Sequence, residues 1–357
     1  MTRRPTTAAK AKKRVPKTIK PAKRSHEPIR TLTLQVPAVA HEQLREIASR
    51  SRRSQLSLAV EGLNLLFERQ GKPPIGPLHT CGVKMKGDWR LSNRFAKRVV
   101  SRMRDVCLGG VTLRSDRQPD GLFVDNRPSG TYPAIWLHTT PARTAWVLTC
   151  VGERDWCRLA YQFGHELGHV LTNSWQRDAV PQPPCQWLEE ALVETFSLRG
   201  LQLLADSWAK SPPFGGDTGF SNWIRVYRND ILARYHGYAT KWGGYDLKKW
   251  YRAHKAKVSK INGCIELVQS VVPALLARIE ADPALTEDYG AMNRWSGRSG
   301  VPPKTYFRLW RESCAEIGSS GRLPIWLAEV FGYNDRRKTA RAKKRRPLRQ
   351  RRPRGRK

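Results

Sequence analysis

The sequence predicts an α+β protein: a small mixed sheet plus helices, preceded by a short β-α-α module and flanked by disordered basic tails. Three observations lead there. Apolar residues recur at three- and four-residue steps over about 154–172 and again from 187 to about 206, the period of helices with one buried face. Just upstream, Ala134–Thr139 and Ala145–Cys150 are short runs rich in β-branched and aromatic residues, separated by Pro141, and read as strands. The chain carries 65 Lys and Arg against 30 Asp and Glu, a formal charge of +35, and much of that excess sits at its two ends.

Residues 1–30 hold 11 basic residues and 1 acidic, and residues 336–357 hold 14 basic and none acidic. Both segments are Pro, Thr, Ala, Lys and Arg with almost no large apolar side chains, so neither buries enough surface to fold alone. Arms of this charge density release counterions from a polyanion, which makes nucleic acid, DNA foremost, the expected partner. Neither has an apolar face for a bilayer, and no run in the chain is long enough for a membrane span.

Between the arms, Thr31–Pro37 alternates polar and apolar residues like a half-buried strand. A short helix follows with Leu44, Ile47 and Ala48 on one side, broken at Arg50–Arg53. Ser54 is placed to cap a second helix whose apolar face is Leu56, Ala59, Val60, Leu63, Leu66 and Phe67, ended by Gly71–Pro74. Strand, helix, turn and helix over 31–71 resemble the ribbon-helix-helix DNA-binding fold of the Arc/MetJ type. That resemblance implies a homodimer whose paired strands enter the major groove. Thr31, Thr33 and Gln35 would then face base edges, and the Ser54 turn would meet a phosphate.

A linker at 72–84 leads to the large domain, 85–335. Residues 85–107 read as helical after Asp88-Trp89, with Leu91, Phe95, Val99 and Met103 at four-residue steps. Short strands are expected near 111–115 and 121–126, between Gly109-Gly110 and Pro119-Asp120-Gly121 turns. Beyond a Pro212–Gly216 loop the chain reads as mainly helical to about 316. The seven cysteines are scattered, with no Cys-x-x-Cys pair, which fits a reducing, cytoplasmic setting and argues against a second, structural zinc.

The chemistry is concentrated at His165-Glu166-Leu167-Gly168-His169. Positions i and i+4 share a helix face, so both imidazoles can point at one metal ion. Glu166, one step round, can sit beside the metal's open position and take a proton from water. Downstream, Trp187-Leu188-Glu189-Glu190 with Glu194 supplies acids on a second helix. Glu190 and Glu194 share a face, where like charges repel unless a cation faces one and an imidazole N–H the other.

These two motifs resemble the gluzincin metallopeptidases, the thermolysin-like zinc enzymes, with the Trp-Leu-x-Glu setting of the aminopeptidase branch. They also resemble the compact ImmA/IrrE-type zincins, which couple a zincin-like domain to DNA regulation. The resemblance spans roughly 134–206. It implies His165, His169 and Glu190 as zinc ligands, Glu166 as general base and Glu194 as support for a histidine, with Glu189 an alternative third ligand. It also implies an edge strand that pairs with an extended peptide substrate. No segment matches the family's oxyanion-stabilising Tyr or His; Tyr235, His236 and Tyr238 are the nearest candidates.

The expected function is a nucleic-acid-associated, nucleoid-located zinc peptidase. The alternatives are a DNA-binding transcriptional regulator whose zincin-like domain is structural or sensory, and a packaging protein in which the arms are the function.

Overall fold

The computed structural model describes residues 35–51, 55–70, 82–90, 93–109, 111, 115, 117–137, 140–213 and 219–333. Both expected basic arms, Thr31, Thr33 and Ser54 lie outside them.

Helices α1 (Ala38–Ser51) and α2 (Gln55–Arg69) appear where the apolar spacing predicts them and pack on each other. Of the expected strand at 31–37, only residues 35–37 are described; they form no strand, and Gln35 and Val36 are exposed. Next come β1 (Val83–Gly87), α3 (Asn93–Leu108), β2 (Gly121–Asn126), β3 (Ala134–Trp136), β4 (Thr144–Thr149), α4 (Trp156–Leu171) and α5 (Gln186–Lys210). The chain then continues through α6 (Phe220–Trp242), α7 (Leu247–Val258), α8 (Glu266–Gln269), α9 (Val272–Ala281), α10 (Pro303–Ile317) and α11 (Arg322–Val330). No helix among the described residues is long and apolar enough to cross a membrane.

The strands form a four-stranded mixed sheet in the order β1-β2-β4-β3. β1, β2 and β4 run parallel, with Val83 opposite Leu122 and Gly121 opposite Thr144. β3 runs antiparallel to β4, with Ile135 opposite Val147, and is the last strand on its side. Helices α3, α4 and α5 pack together, and α4 also lies against β3 and β4. Leu122, Val124 and Val147 of the sheet, Val99 and Met103 of α3, and Phe163 and Leu167 of α4 are all fully buried in one core.

Three expectations need correction. The helix expected after Asp88-Trp89 begins at Asn93, and residues 83–87 before it form β1, so the sheet starts inside the expected linker. Lys84 and Lys86 there are exposed while Val83 is buried, the pattern of an edge strand blunted by lysine. Val111 and Ser115 belong to no strand, and residues 112–114 are outside the described set. Helix continues past 316, because Gly318 and Gly321 take left-handed conformations that end α10 and let α11 pack back on it.

Candidate metal centre

The site stands on two helices that touch unusually closely. A Cβ added at Gly168 would lie 2.8 Å from the Cβ of Val193 on α5, and one at Gly164 would lie 2.9 Å from Ser197 Oγ. These glycines are four apart, so they form one face of α4, and only hydrogen in place of a methyl lets α5 approach it. His165 and His169 each follow one of the glycines, which turns both imidazoles towards the acidic start of α5.

That part of α5 is buried on nearly all sides: Glu189 and Glu194 are 1% exposed and Glu190 is 9% exposed. Buried carboxylates need partners, and each has them. The imidazole Nδ1 of His165 lies 2.8 Å from Glu194 Oε2, and Nδ1 of His169 lies 2.8 Å from Glu189 Oε1. Both histidines thus have an ionisable oxygen behind them, and both Nε2 atoms point the other way. There they face one atom, Glu190 Oε2, at 3.5 Å and 3.7 Å. Gln186 Nε2 donates to Glu190 Oε1 at 3.2 Å, which turns the other oxygen to the histidines.

A second layer holds the supporting acids. The hydroxyls of Tyr161 and Tyr235 both donate to Glu194 Oε1, at 2.8 Å and 2.9 Å. Burial, then the Glu194 charge, pushes both phenols well above the usual tyrosine range, so they stay neutral donors. Asn293 Nδ2 donates to Glu189 Oε2 at 2.8 Å, and the Thr172 hydroxyl lies 3.0 Å from Glu189 Oε1. Asn293 sits at a left-handed φ of 56°, and Arg298 Nη1 binds the carbonyls of Asn173 and Asn293 at 2.8 Å and 3.3 Å. The loop after residue 290 is thereby tied to the end of α4.

Electrostatics test whether this set suits a cation. Burial alone would lower the histidine pKa values, but the carboxylates outweigh it: Glu190 and Glu194 push His165 up to about 10. His169 is likewise raised well above its usual value, by Glu190 and Glu189 against burial. Burial would raise Glu190, yet the two histidines hold it well below the usual carboxylate range. Two imidazole Nε2 atoms and a carboxylate oxygen lie within 4.8 Å of one another, so the cluster demands positive charge at its centre. Protons on the rings or a metal ion can supply it. Two nitrogens and one oxygen, with both Nδ1 atoms anchored, fit a three-ligand zinc site.

Glu166 differs from the other three acids. It is 3% exposed, lines the same cavity, and its carboxylate makes no hydrogen bond among the described residues. Burial raises its pKa, although both histidines pull it down. The cavity has a volume of about 580 Å³. It is lined by His165, Glu166, His169 and Glu190 together with Tyr132–Ile135, Leu137, Ala179–Pro181, Gly263 and Cys264. β3 therefore runs along the cavity.

The structure brings His165, Glu166, His169, Glu190 and Glu194 together, and it turns Glu189 to His169 rather than to the centre. It does not bring the oxyanion candidates there. Tyr235 is 3% exposed with its hydroxyl on Glu194, Tyr238 stacks on Tyr235, and exposed His236 lies 2.7 Å from the Tyr245 hydroxyl. None of the three lines the cavity. Sequence reasoning missed Tyr161, Gln186 and Asn293. Tyr161 had a usable signal, since it precedes His165 by four residues and so shares its helix face.

Comparison with protein-family models, curated proteins and solved structures finds no match to this chain.

Proposed function

We propose that this protein is a nucleic-acid-associated, zinc-dependent hydrolase of peptide bonds. One observation carries the hydrolytic reading: Glu166, a buried carboxylate with no hydrogen-bond partner among the described residues, lies in the cavity beside a His-His-Glu ligand set whose histidines are both anchored from behind. A carboxylate serving structure alone would be bonded, as Glu189, Glu190 and Glu194 are.

When bound by His165 Nε2, His169 Nε2 and Glu190, zinc would polarise a carbonyl and lower the pKa of a water toward neutrality. The chain's residues do the rest. Glu166 accepts the proton of the attacking water and passes it to the leaving amine. Glu194 and Glu189 hold a proton on each Nδ1, so that Nε2 is the nitrogen that would give up its proton and bind. The edge position of β3 beside the cavity supports a polypeptide substrate, which would add as an extended strand and lay its scissile bond over Glu166.

The basic ends of the chain support nucleic acid as the partner. A second copy is supported by the apolar surface of the N-terminal helices: Val39 is 71%, Ile47 52% and Leu65 56% exposed. A DNA-binding regulator with a non-catalytic site is the second reading, favoured by the fact that none of the three oxyanion candidates reaches the cavity.

Glu166→Gln separates the two. The peptidase reading expects normal zinc content and hydrolysis of a peptide library slowed by roughly a hundred- to ten-thousand-fold. Absence of cleavage by the unaltered protein, with and without DNA, favours the regulator instead.

A further inference from the structure

The sheet has two unlike sides. Helices α3 and α4, which pack on it, also pack on each other and so share one side. Alternation along the strands turns Leu122, Val124 and Val147 towards those helices and Phe123, Asp125 and Trp146 away from them. On the far side the register lines up one row across all four strands. Lys84 of β1 lies opposite Phe123 of β2, Phe123 opposite Trp146 of β4, and Trp146 opposite Trp136 of β3. Neighbouring strands are about 4.8 Å apart, so the row extends over roughly 14 Å.

This row is not part of the main core. Leu122, Val124 and Val147 belong to that core, whereas Phe123, Trp146 and Trp136 stand outside it. Lys84, Lys86 and Arg127 are exposed, and Trp136 is 39% exposed. The rings fix one another in place. Trp146 meets Phe123 and Trp136 edge to face, with centres 4.5 Å and 5.7 Å away, and its indole N–H donates to the Thr140 carbonyl at 2.9 Å. Cations lie over both ends of the row. The Nζ atoms of Lys84 and Lys86 are 5.4 Å and 5.7 Å from the Phe123 ring centre, and the Arg127 guanidinium is 4.6 Å from that of Trp136. Asp125 pairs with Arg127 at 3.1 Å, while Lys84 and Lys86 make no ion pair among the described residues. Lysine alone blunts an edge strand; three interlocked rings beside it serve something else.

We infer that this side of the sheet binds a single strand of nucleic acid, with bases stacked on Trp136 and on the guanidinium of Arg127 and with phosphates at Lys84 and Lys86. This rests on the nucleic-acid association proposed above and gives it a place on the folded body. Aromatic and guanidinium planes accept any base that is out of a helix, and cations beside them neutralise the backbone. A duplex keeps its bases stacked on each other and leaves the rings unused. An anionic bilayer suits this side less well. Phe123 is 7% exposed and Trp146 half-buried, so the rings lie within the surface and little of them is left to insert.

The test uses the full chain and a labelled oligothymidine of about 12 bases, within the site sizes usual for such surfaces. A duplex of the same length and vesicles of phosphatidylserine and phosphatidylcholine are measured in parallel. Trp136→Ala should weaken oligothymidine binding by about fivefold to a hundredfold, the loss of one stacked base, with little change in salt slope or in duplex affinity. Trp136→Phe should restore most of the loss. Lys84→Gln with Lys86→Gln should instead flatten the slope of log K against log salt by about 1.4, at roughly 0.7 for each phosphate of a single strand. Equal charge removed from exposed positions on α7, Lys248→Gln with Arg252→Gln, should flatten it less. Unchanged thermal unfolding shows that each variant keeps the fold, and the exposed lysine pair decides the matter if Trp136→Ala does not fold. Oligothymidine binding that neither Trp136→Ala nor the lysine pair alters overturns the sheet surface and leaves the nucleic-acid reading standing. An equal loss of duplex binding overturns the single-strand assignment. No salt-dependent binding of either nucleic acid by the unaltered chain overturns both readings, and a loss confined to vesicle binding assigns this side to a membrane instead.

Discussion

Glu189 Oε1 lies 2.8 Å from Nδ1 of His169, although Glu189 directly precedes Glu190, whose carboxylate faces both histidine Nε2 atoms. Neighbouring residues on a helix point about 100° apart, so two successive glutamates serve opposite ends of one imidazole. With Glu194 behind His165, the arrangement is matched: each histidine has a carboxylate at its back and shares a third at its front.

Removing that support should weaken metal binding without removing a ligand. Glu189→Ala is expected to lower zinc affinity by about tenfold to a hundredfold, and Asn293→Ala by less, since His169 keeps its partner but the partner loses its anchor. Competition against a chromophoric chelator reads both. An unaltered affinity in Glu189→Ala would show that His169 is oriented by packing alone.

Zinc should be part of the fold's stability. His165 and His169 sit on α4 and Glu190 on α5, so a bound ion ties the two helices, and a ligand present at about a hundred times its dissociation constant stabilises by about 2.7 kcal/mol. Chelation should lower the melting temperature of the unaltered protein. The His165→Ala, His169→Ala double variant should contain no zinc by elemental analysis and show no response to chelator. Full zinc retention in that variant would remove the metal centre from these residues.

The contact between α4 and α5 should be sensitive to a single methyl group. In Gly168→Ala the new Cβ meets Val193 at 2.8 Å, and β-branched Val193 has little freedom to move away. Overpacking of this kind costs about 1–3 kcal/mol, more than the ~1 kcal/mol that alanine contributes to helix propensity. Denaturant unfolding should show a lower midpoint and zinc titration a weaker site. A more stable variant with full zinc affinity would mean that the helices part freely.

Zinc binding should be proton-linked. In the metal-free protein the pKa of His165 is raised to about 10 and that of His169 well above its usual value, so both rings are protonated at neutral pH, while depressed Glu190 is already ionised. Zinc must displace those protons, and the apparent association constant should therefore rise with pH, by up to about two logarithmic units per pH unit between about pH 6 and 8. Calorimetry in buffers of different ionisation enthalpy counts the protons released. Affinity that is flat over this range would place the histidines in the neutral form before binding.

The sequence by itself determined the two helices of the site and most of its acids and imidazoles. Periodicity sets which face of α4 is buried, and the i, i+4 spacing puts His165 with His169 and Glu190 with Glu194 on common faces whatever the surroundings. Local geometry of this kind is carried by 3.6 residues per turn and needs no partner. Helices α1 and α2 were legible for the same reason. What lay across space was not. Whether Glu189 or Glu190 faces the centre depends on the rotation of α5 against α4, which the close approach at Gly164 and Gly168 decides. Asn293 reaches Glu189 from 104 residues away, Tyr235 is drawn to Glu194 and away from the cavity, and Val83–Gly87 is a strand because β2 lies beside it. In each case a buried polar group or an unpaired strand edge has to be satisfied, and only the packed structure determines which partner comes within reach.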